Sequence, residues 1–190
     1  MKIIGILGNY GHSGGNVALP EVYLMGDSSL LKDGKPFFVP DFATRFVAYP
    51  TVVARVCRLG KNIARKFASR YYDCFTVGLA VEAEGVGGAL GRAFDGAAIL
   101  GDFVEWGELA PAVDGLAYDI AVDGQVCFSG NTAALQHGID DLIEYVSRYM
   151  TLKIGDYIYV SRPPEGIPLS IDTRLSATLA GREVLKMKVK

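Results

Sequence analysis

The chain carries almost no surplus of charge. Its 19 Lys and Arg stand against 21 Asp and Glu, a net charge of −2 at pH 7. Such balance excludes the broad positive field that holds nucleic acid or an anionic membrane by electrostatics alone. Long apolar runs are missing as well. No stretch approaches the roughly 20 apolar residues that cross a bilayer. The opening MKIIGILG lacks the longer apolar core and cleavage site of a secretory signal. The expectation is a cytoplasmic protein with no membrane contact. Cysteine is scarce: Cys57, Cys74 and Cys127 are odd in number, far apart and form no Cys-x-x-Cys pair. Burial as small apolar side chains is the simplest reading, with a reactive thiol or a metal ligand as the alternative. Internal repeats, low-complexity runs and linkers are absent too. At 190 residues the chain reads as one domain able to bury a sizeable core. Residues 1–35 read as an N-terminal strand and loop region, and residues 36–190 as the core.

What the chain does have is glycine and aromatics. The 23 Gly, 10 Tyr and 9 Phe, with abundant Val, point to a β-rich fold. Short strands are expected at residues 1–7, 21–25, 51–56, 72–83, 102–105 and 116–122, with a terminal hairpin in 170–189 turning at Ala180-Gly181-Arg182. Residues 28–35 read as a loop with an Asp33-Gly34 turn. Residues 61–72 place Ile63, Ala64, Phe67 and Tyr71 on one face of a helix. The basic residues beside them, Lys61, Arg65, Lys66 and Arg70, read as a solvated face rather than a nucleic-acid contact. Residues 85–91, GVGGALG, read as a flexible connection without the spacing of a dinucleotide loop. The Gly-rich loop at 8–16 is followed by Pro20 rather than a helix and lacks a closing Lys-Ser/Thr, so it is not a phosphate cradle.

Residues 122–166 are the most legible part. Asp123-Gly124 is a hairpin turn between two strands. After a polar break, Ile139, Leu142, Ile143, Val146 and Met150 recur at helical spacing. Asp140 and Asp141 sit where the helix dipole favours negative charge, and Arg148 follows Glu144 by four residues. Gly155-Asp156 turns the chain into a strand over residues 157–160. In this order Asp123-Gly124, Gly130-Asn131-Thr132, Tyr145-Val146-Ser147, Thr151-Leu152, Gly155-Asp156, Ile158 and Pro163 resemble the C-terminal core of the fumarylacetoacetate hydrolase superfamily. That family runs N-G-x-x-x-Q-x-x-N-T, a helix, T-L-x-x-G-D-x-I, a strand and G-T-P-x-G. Elsewhere Asn9-Tyr10 matches the family's N-Y-x-x-H lid, with His12 one residue early. Arg92-Ala93-Phe94-Asp95 takes the place of K-S-F-D. The resemblance extends from about residue 3 to 189.

The resemblance implies an α+β, mainly β fold, a rolled mixed sheet with a few short helices, and a homodimer. It also implies hydrolysis, isomerisation or decarboxylation of a small keto- or enol-dicarboxylic acid, with Mg²⁺ held by three carboxylates. Those carboxylates are what this chain lacks. Tyr49, Thr51 and Ala80 stand in their places, Arg92 replaces the active-site Lys, and Arg162 replaces a Thr. Arg holds its proton near neutrality and cannot relay it as Lys does. Two readings of Glu82-x-Glu84 stand: Glu82 reaches into the emptied metal position and rescues a Mg²⁺ site, or both carboxylates are solvated. His12 is read as an acid/base group or as an exposed loop histidine. Arg92 and Arg162 are read as a bidentate clamp for a carboxylate or keto acid, with Tyr10, Tyr49 and Thr51 lining it, or as ordinary surface ion pairs. The function expected is a family enzyme with a degenerate, metal-free site. The alternative is a silent relative that binds a small anion or a partner protein.

Overall fold

The computed structural model describes residues 1–11, 19–109 and 115–190. In chain order the strands are β1 (Ile3–Leu7), β2 (Glu21–Met25), β3 (Leu30–Leu31), β4 (Phe46–Val56), β5 (Tyr72–Ala83), β6 (Ala98–Leu100) and β7 (Val104–Glu105). A four-residue helix, α1 (Trp106–Leu109), leads to β8 (Ala117–Val122), β9 (Gln125–Asn131) and the long helix α2 (Ile139–Tyr149). The chain closes with β10 (Tyr157–Tyr159), β11 (Ile167–Pro168), β12 (Arg174–Leu179) and β13 (Arg182–Lys188). The fold is mainly β with few short helices, as expected from the residues.

A nine-stranded sheet runs β2-β1-β10-β4-β5-β6-β3, with β11 on β4 and β7 on β5. It is mixed: β1 pairs with β10, and β3 with β6, in parallel, and the other pairs are antiparallel. A smaller antiparallel sheet runs β13-β12-β8-β9. The spine is the β4–β5 pair, matched from Phe46↔Ala83 to Val56↔Tyr72. Side chains alternate across a strand, so each member of this pair has two faces. One face (Ala48, Val52, Ala54, Val77, Leu79, Val81) packs into the main apolar core with Leu142, Ile143 and Val146 of α2. The other carries Val53 and Ala80 into a second cluster with Ile3, Met25 and Tyr159.

Local chemistry fixes the boundaries. Asp123 and Gly124 both adopt positive φ, 49° and 85°. That conformation suits the tight turn joining β8 to β9. The Asp141 carboxylate accepts from the Gly138 N–H at 3.2 Å. The bond satisfies a donor at the start of α2, as a capping carboxylate does. Asp156 is fully buried. Its carboxylate accepts from the backbone N–H of Lys2 at 3.0 Å and of Lys153 at 2.7 Å, and pairs with the Lys2 ammonium. The Gly155-Asp156 turn therefore ties the start of the chain to the strand after α2.

Four expectations are corrected. Residues 61–72 form no amphipathic helix; only Arg65–Arg70 coil, as a 3-10 turn. Asn62 sits at φ 52° and the Ile63 N–H donates to Ser147 Oγ at 2.9 Å. With the backbone so committed, a helix cannot start there. Phe67 is 41% exposed, while Ile63 and Ala68 are buried. The strand expected at 51–56 begins at Phe46, because residues 46–50 continue the same pairing with β5. The connection at 85–91 is folded back: the Ala83 N–H donates to the Gly91 carbonyl at 2.9 Å, and Val86 N–H to the Ala83 carbonyl at 3.3 Å. Of the cysteines, Cys74 is buried but Cys127 is exposed on β9, where Gln125 and Val126 are also open to solvent.

Candidate active site

The second face of the β4–β5 pair is where the resemblance puts the missing carboxylates. Register sets Tyr49 opposite Ala80, Thr51 opposite Gly78 and Val47 opposite Glu82. Gly78 has a packing reason. A Cβ there would lie 2.5 Å from Val53 Cγ2 and 2.7 Å from Tyr159 Cε1. Its absence admits the Tyr159 ring, whose hydroxyl donates to the Ile99 carbonyl at 2.9 Å. Burial raises the Tyr159 phenol well above its ordinary range.

Arg162 is delivered by an extension of the β10–β4 pairing. The ladder ends at Tyr159↔Val53. Beyond it the Val160 N–H donates to the Val52 carbonyl at 3.1 Å, and the Ser161 N–H to Thr51 Oγ1 at 3.1 Å. The Thr51 and Ser161 hydroxyls share a further bond of 3.1 Å. Thr51 has no exposed surface. Its hydroxyl therefore holds the strand that carries Arg162 and does not face a ligand. Tyr49 is also mostly buried. Its ring lies under the Arg162 guanidinium, 3.6 Å from centroid to Cζ, a cation–π contact. Gly166 makes space for that ring; a Cβ there would meet Tyr49 Cε1 at 2.8 Å.

Arg162 and Arg92 converge on Glu82. Arg162 Nε donates to Oε1 at 2.9 Å and a terminal nitrogen to Oε2 at 3.1 Å. This is the bidentate geometry that suits guanidinium and carboxylate. Arg92 Nε donates to Oε1 at 3.0 Å. The Glu82 side chain is 15% exposed, against 35% for Arg92 and 27% for Arg162. Glu82 is therefore neither solvated nor poised as a free ligand. Glu84, beyond the strand end, is exposed and pairs with Arg45 at 3.3 Å. Two guanidiniums share this one carboxylate, and the adjoining cleft has a second carboxylate, Glu21, in its wall.

Sequence reasoning missed Tyr23. On β2 it pairs with Gly5 of β1, and its ring covers the space a Cβ on Gly5 would take, 2.1 Å from Cζ. A glycine inside a strand signals such close approach, and Gly5 was that signal. The Tyr23 ring centroid lies 5.9 Å from Arg92 Cζ. Burial, then the Glu82 carboxylate, pushes the phenol up to about 12, with both arginines pulling the other way. A cleft of about 250 Å³ opens beside Tyr23 and Arg92, walled by Glu21, Leu24, Gly88 and Ala89.

The remaining expected residues fall elsewhere. Tyr10 bridges to Leu135 and its ring is 6.5 Å from Phe128. Phe128 in turn packs on Tyr118, with 5.7 Å between ring centroids, so Tyr10 sits against the β8–β9 pair. The neighbouring Asn9, fully buried, donates to the carbonyls of His137 at 3.1 Å and Val160 at 2.8 Å. His12 lies outside the described residues.

The donor set does not suit a hard divalent cation. Mg²⁺ asks for several oxygen ligands in octahedral geometry. Tyr49, Thr51 and Ala80 bring no carboxylate, and both oxygens of Glu82 are engaged by guanidiniums. Among the described residues no three His, Cys, Asp or Glu side chains gather as a metal would need.

The family model for the fumarylacetoacetate (FAA) hydrolase C-terminal region matches residues 2–166. An uncharacterised protein of Pyrococcus abyssi is 27% identical over 203 aligned residues, covering 99% of this chain and 89% of its own. A mitochondrial oxaloacetate tautomerase of Bos taurus is 24% identical over 180 residues, 90% of this chain and 80% of its own. The crystal structure of a fumarylpyruvate hydrolase from Pseudomonas aeruginosa, in complex with Mn²⁺ and pyruvate, superposes with a TM-score of 0.88 at 17% identity. The match covers all of this chain and 89% of that one, and it establishes the shared fold.

Proposed function

The chain belongs to the fumarylacetoacetate (FAA) hydrolase C-terminal family, and from that premise we propose that it is an enzyme of the hydrolase, isomerase or decarboxylase type acting on a small keto- or enol-dicarboxylic acid without a divalent metal. The observation that carries this reading is the convergence of Arg92 and Arg162 on Glu82, on the strand face where the ligand carboxylates are replaced. Family relatives supply the reaction class, since one is an oxaloacetate tautomerase.

The residues divide the work. Glu82 and the Tyr49 ring hold Arg162 in one orientation, so its charge is in place before substrate arrives. Arg92 gives only Nε to Glu82. Its terminal nitrogens are left for a substrate carboxylate at the cleft. The positive charge of Arg92 and Arg162 favours the enolate over the neutral keto form. His12 is the proposed acid/base group.

The test is oxaloacetate keto–enol interconversion and acylpyruvate hydrolysis, followed by ultraviolet absorbance in excess chelator and in millimolar Mg²⁺. Equal rates in the two conditions are expected, with Arg162→Ala slowed at least a hundredfold, the scale of losing one preorganised charge donor. Turnover that requires Mg²⁺ or Mn²⁺ would sink the metal-free reading. A second reading rests on Glu82 itself: a carboxylate of the chain already occupies both guanidiniums, which is what a silent anion-binding relative would show. Oxalate binding without turnover of either substrate would favour it.

A further inference from the structure

We propose that the Tyr23 hydroxyl donates a hydrogen bond to the oxyanion of the bound enol acid, completing the site with Arg92 and Arg162; this rests on the keto- or enol-acid reading above. Three observations support it. First, Tyr23 and Arg92 line the same cleft of about 250 Å³. Small-molecule sites are concave spaces of this kind, with a few convergent polar groups. Second, the phenol lies within electrostatic reach of Glu82, Arg92 and Arg162, so it belongs to the charged cluster. The half-buried Tyr23 lines the open cleft, while the fully buried Tyr159 spends its own hydroxyl on Ile99. Third, the ring is held in place by Gly5, the one residue type that leaves room beneath it.

The chemistry follows from environment. A half-buried phenol near a carboxylate, with its pKa pushed up to about 12, keeps its proton across the neutral range, so it is always a donor. A neutral donor aimed at a developing oxyanion strengthens as charge appears on that oxygen, and it needs no proton transfer. It adds directionality that the diffuse guanidinium charge lacks. No bond is made or broken by Tyr23.

The experiment compares two probes. Oxalate, planar and doubly charged, presents a carboxylate and a second anionic oxygen like an enolpyruvate; acetate presents the carboxylate alone. Titrations of the full chain by calorimetry or NMR should show Tyr23→Phe weakening oxalate at least tenfold and acetate less than twofold. With ¹³Cζ-tyrosine, oxalate should shift the one resonance that Tyr23→Phe deletes. Gly5→Ala, which pushes the ring aside, should lose the same preference for oxalate; thermal unfolding checks that it folds. If Tyr23→Phe binds oxalate like the wild type while Arg92→Ala does not, the Tyr23 assignment fails and the keto-acid reading survives. If Tyr23→Phe weakens both probes equally, Tyr23 only shapes the cleft and the assignment fails. If the wild type binds neither probe, the reading of the site falls and takes this assignment with it.

Discussion

Two charge clusters hold distant parts of this chain together, and they are built differently. At Asp156 one fully buried carboxylate meets the Lys2 ammonium and two backbone N–H groups, from Lys2 and Lys153. Charge is balanced one for one and the anion's lone pairs are committed. At Glu82 one carboxylate meets two guanidiniums, and one of them, Arg92, borders a cleft that Glu21 also walls. A cluster that only holds the fold gains nothing from unmatched charge, since an unpaired ion in a partly dry site is costly. That contrast is why the second cluster, and not the first, is the proposed site.

Substitutions can break that contrast. Asp156→Ala leaves the Lys2 ammonium and two backbone donors without their acceptor, and should destabilise by about 3 kcal/mol in urea unfolding. The Tyr23 phenol adds a pH signature. Its value in the fold, about 12, exceeds the ordinary 10.0. The stability it brings is therefore complete below the ordinary value and is lost as pH climbs toward the folded one. Tyr23→Phe should remove up to about 2 kcal/mol of the alkaline loss measured between pH 10 and pH 12. Glu82→Gln should cost less, about 1–2 kcal/mol, because water reaches both arginines. The same change should loosen Arg162 and weaken oxalate severalfold, because one oxygen of the bidentate hold becomes an amide nitrogen. A variant that binds oxalate more tightly would mean that Glu82 occupies the anion's place instead of positioning Arg162, as the silent reading requires. The smallest effect is expected at the Glu144–Arg148 pair on the surface of α2, 3.5 Å apart. Arg148→Ala should cost no more than about 0.5 kcal/mol and lose even that in high salt.

Local signals in the sequence were the reliable ones. β2 and β5 match their expected limits, and the Asp123-Gly124 and Ala180-Gly181 turns adopt the positive φ their residues take there. The family resemblance set Tyr49, Thr51 and Ala80 in the ligands' places, and the β4–β5 register puts Tyr49 opposite Ala80, two residues from Thr51 on the same strand. Residues 61–72 deceived because periodicity cannot see a tertiary commitment: the Ile63 amide goes to Ser147, 84 positions away in sequence. The arginine cluster was half legible. Arg92 and Arg162 stood out as replacements, but their common partner lies 10 and 80 residues from them, and no local pattern joins those positions. Tyr23 was hidden because a tyrosine in a strand is ordinary, and only the facing Gly5 gives its placement meaning.

The hydroxyl link between Thr51 and Ser161 has a consequence for folding kinetics. It spans 110 positions and sits just past the end of the β10–β4 ladder. Glu82 meets Arg162 only after β4 has paired with β5 and β10 has zipped onto β4. Contacts of such sequence separation carry loop-closure entropy that must be met before they stabilise anything. The proposed anion site therefore needs both strand pairings in place. In refolding, recovery of oxalate binding should trail recovery of β-sheet circular dichroism, which makes the site a clock for the last step of assembly.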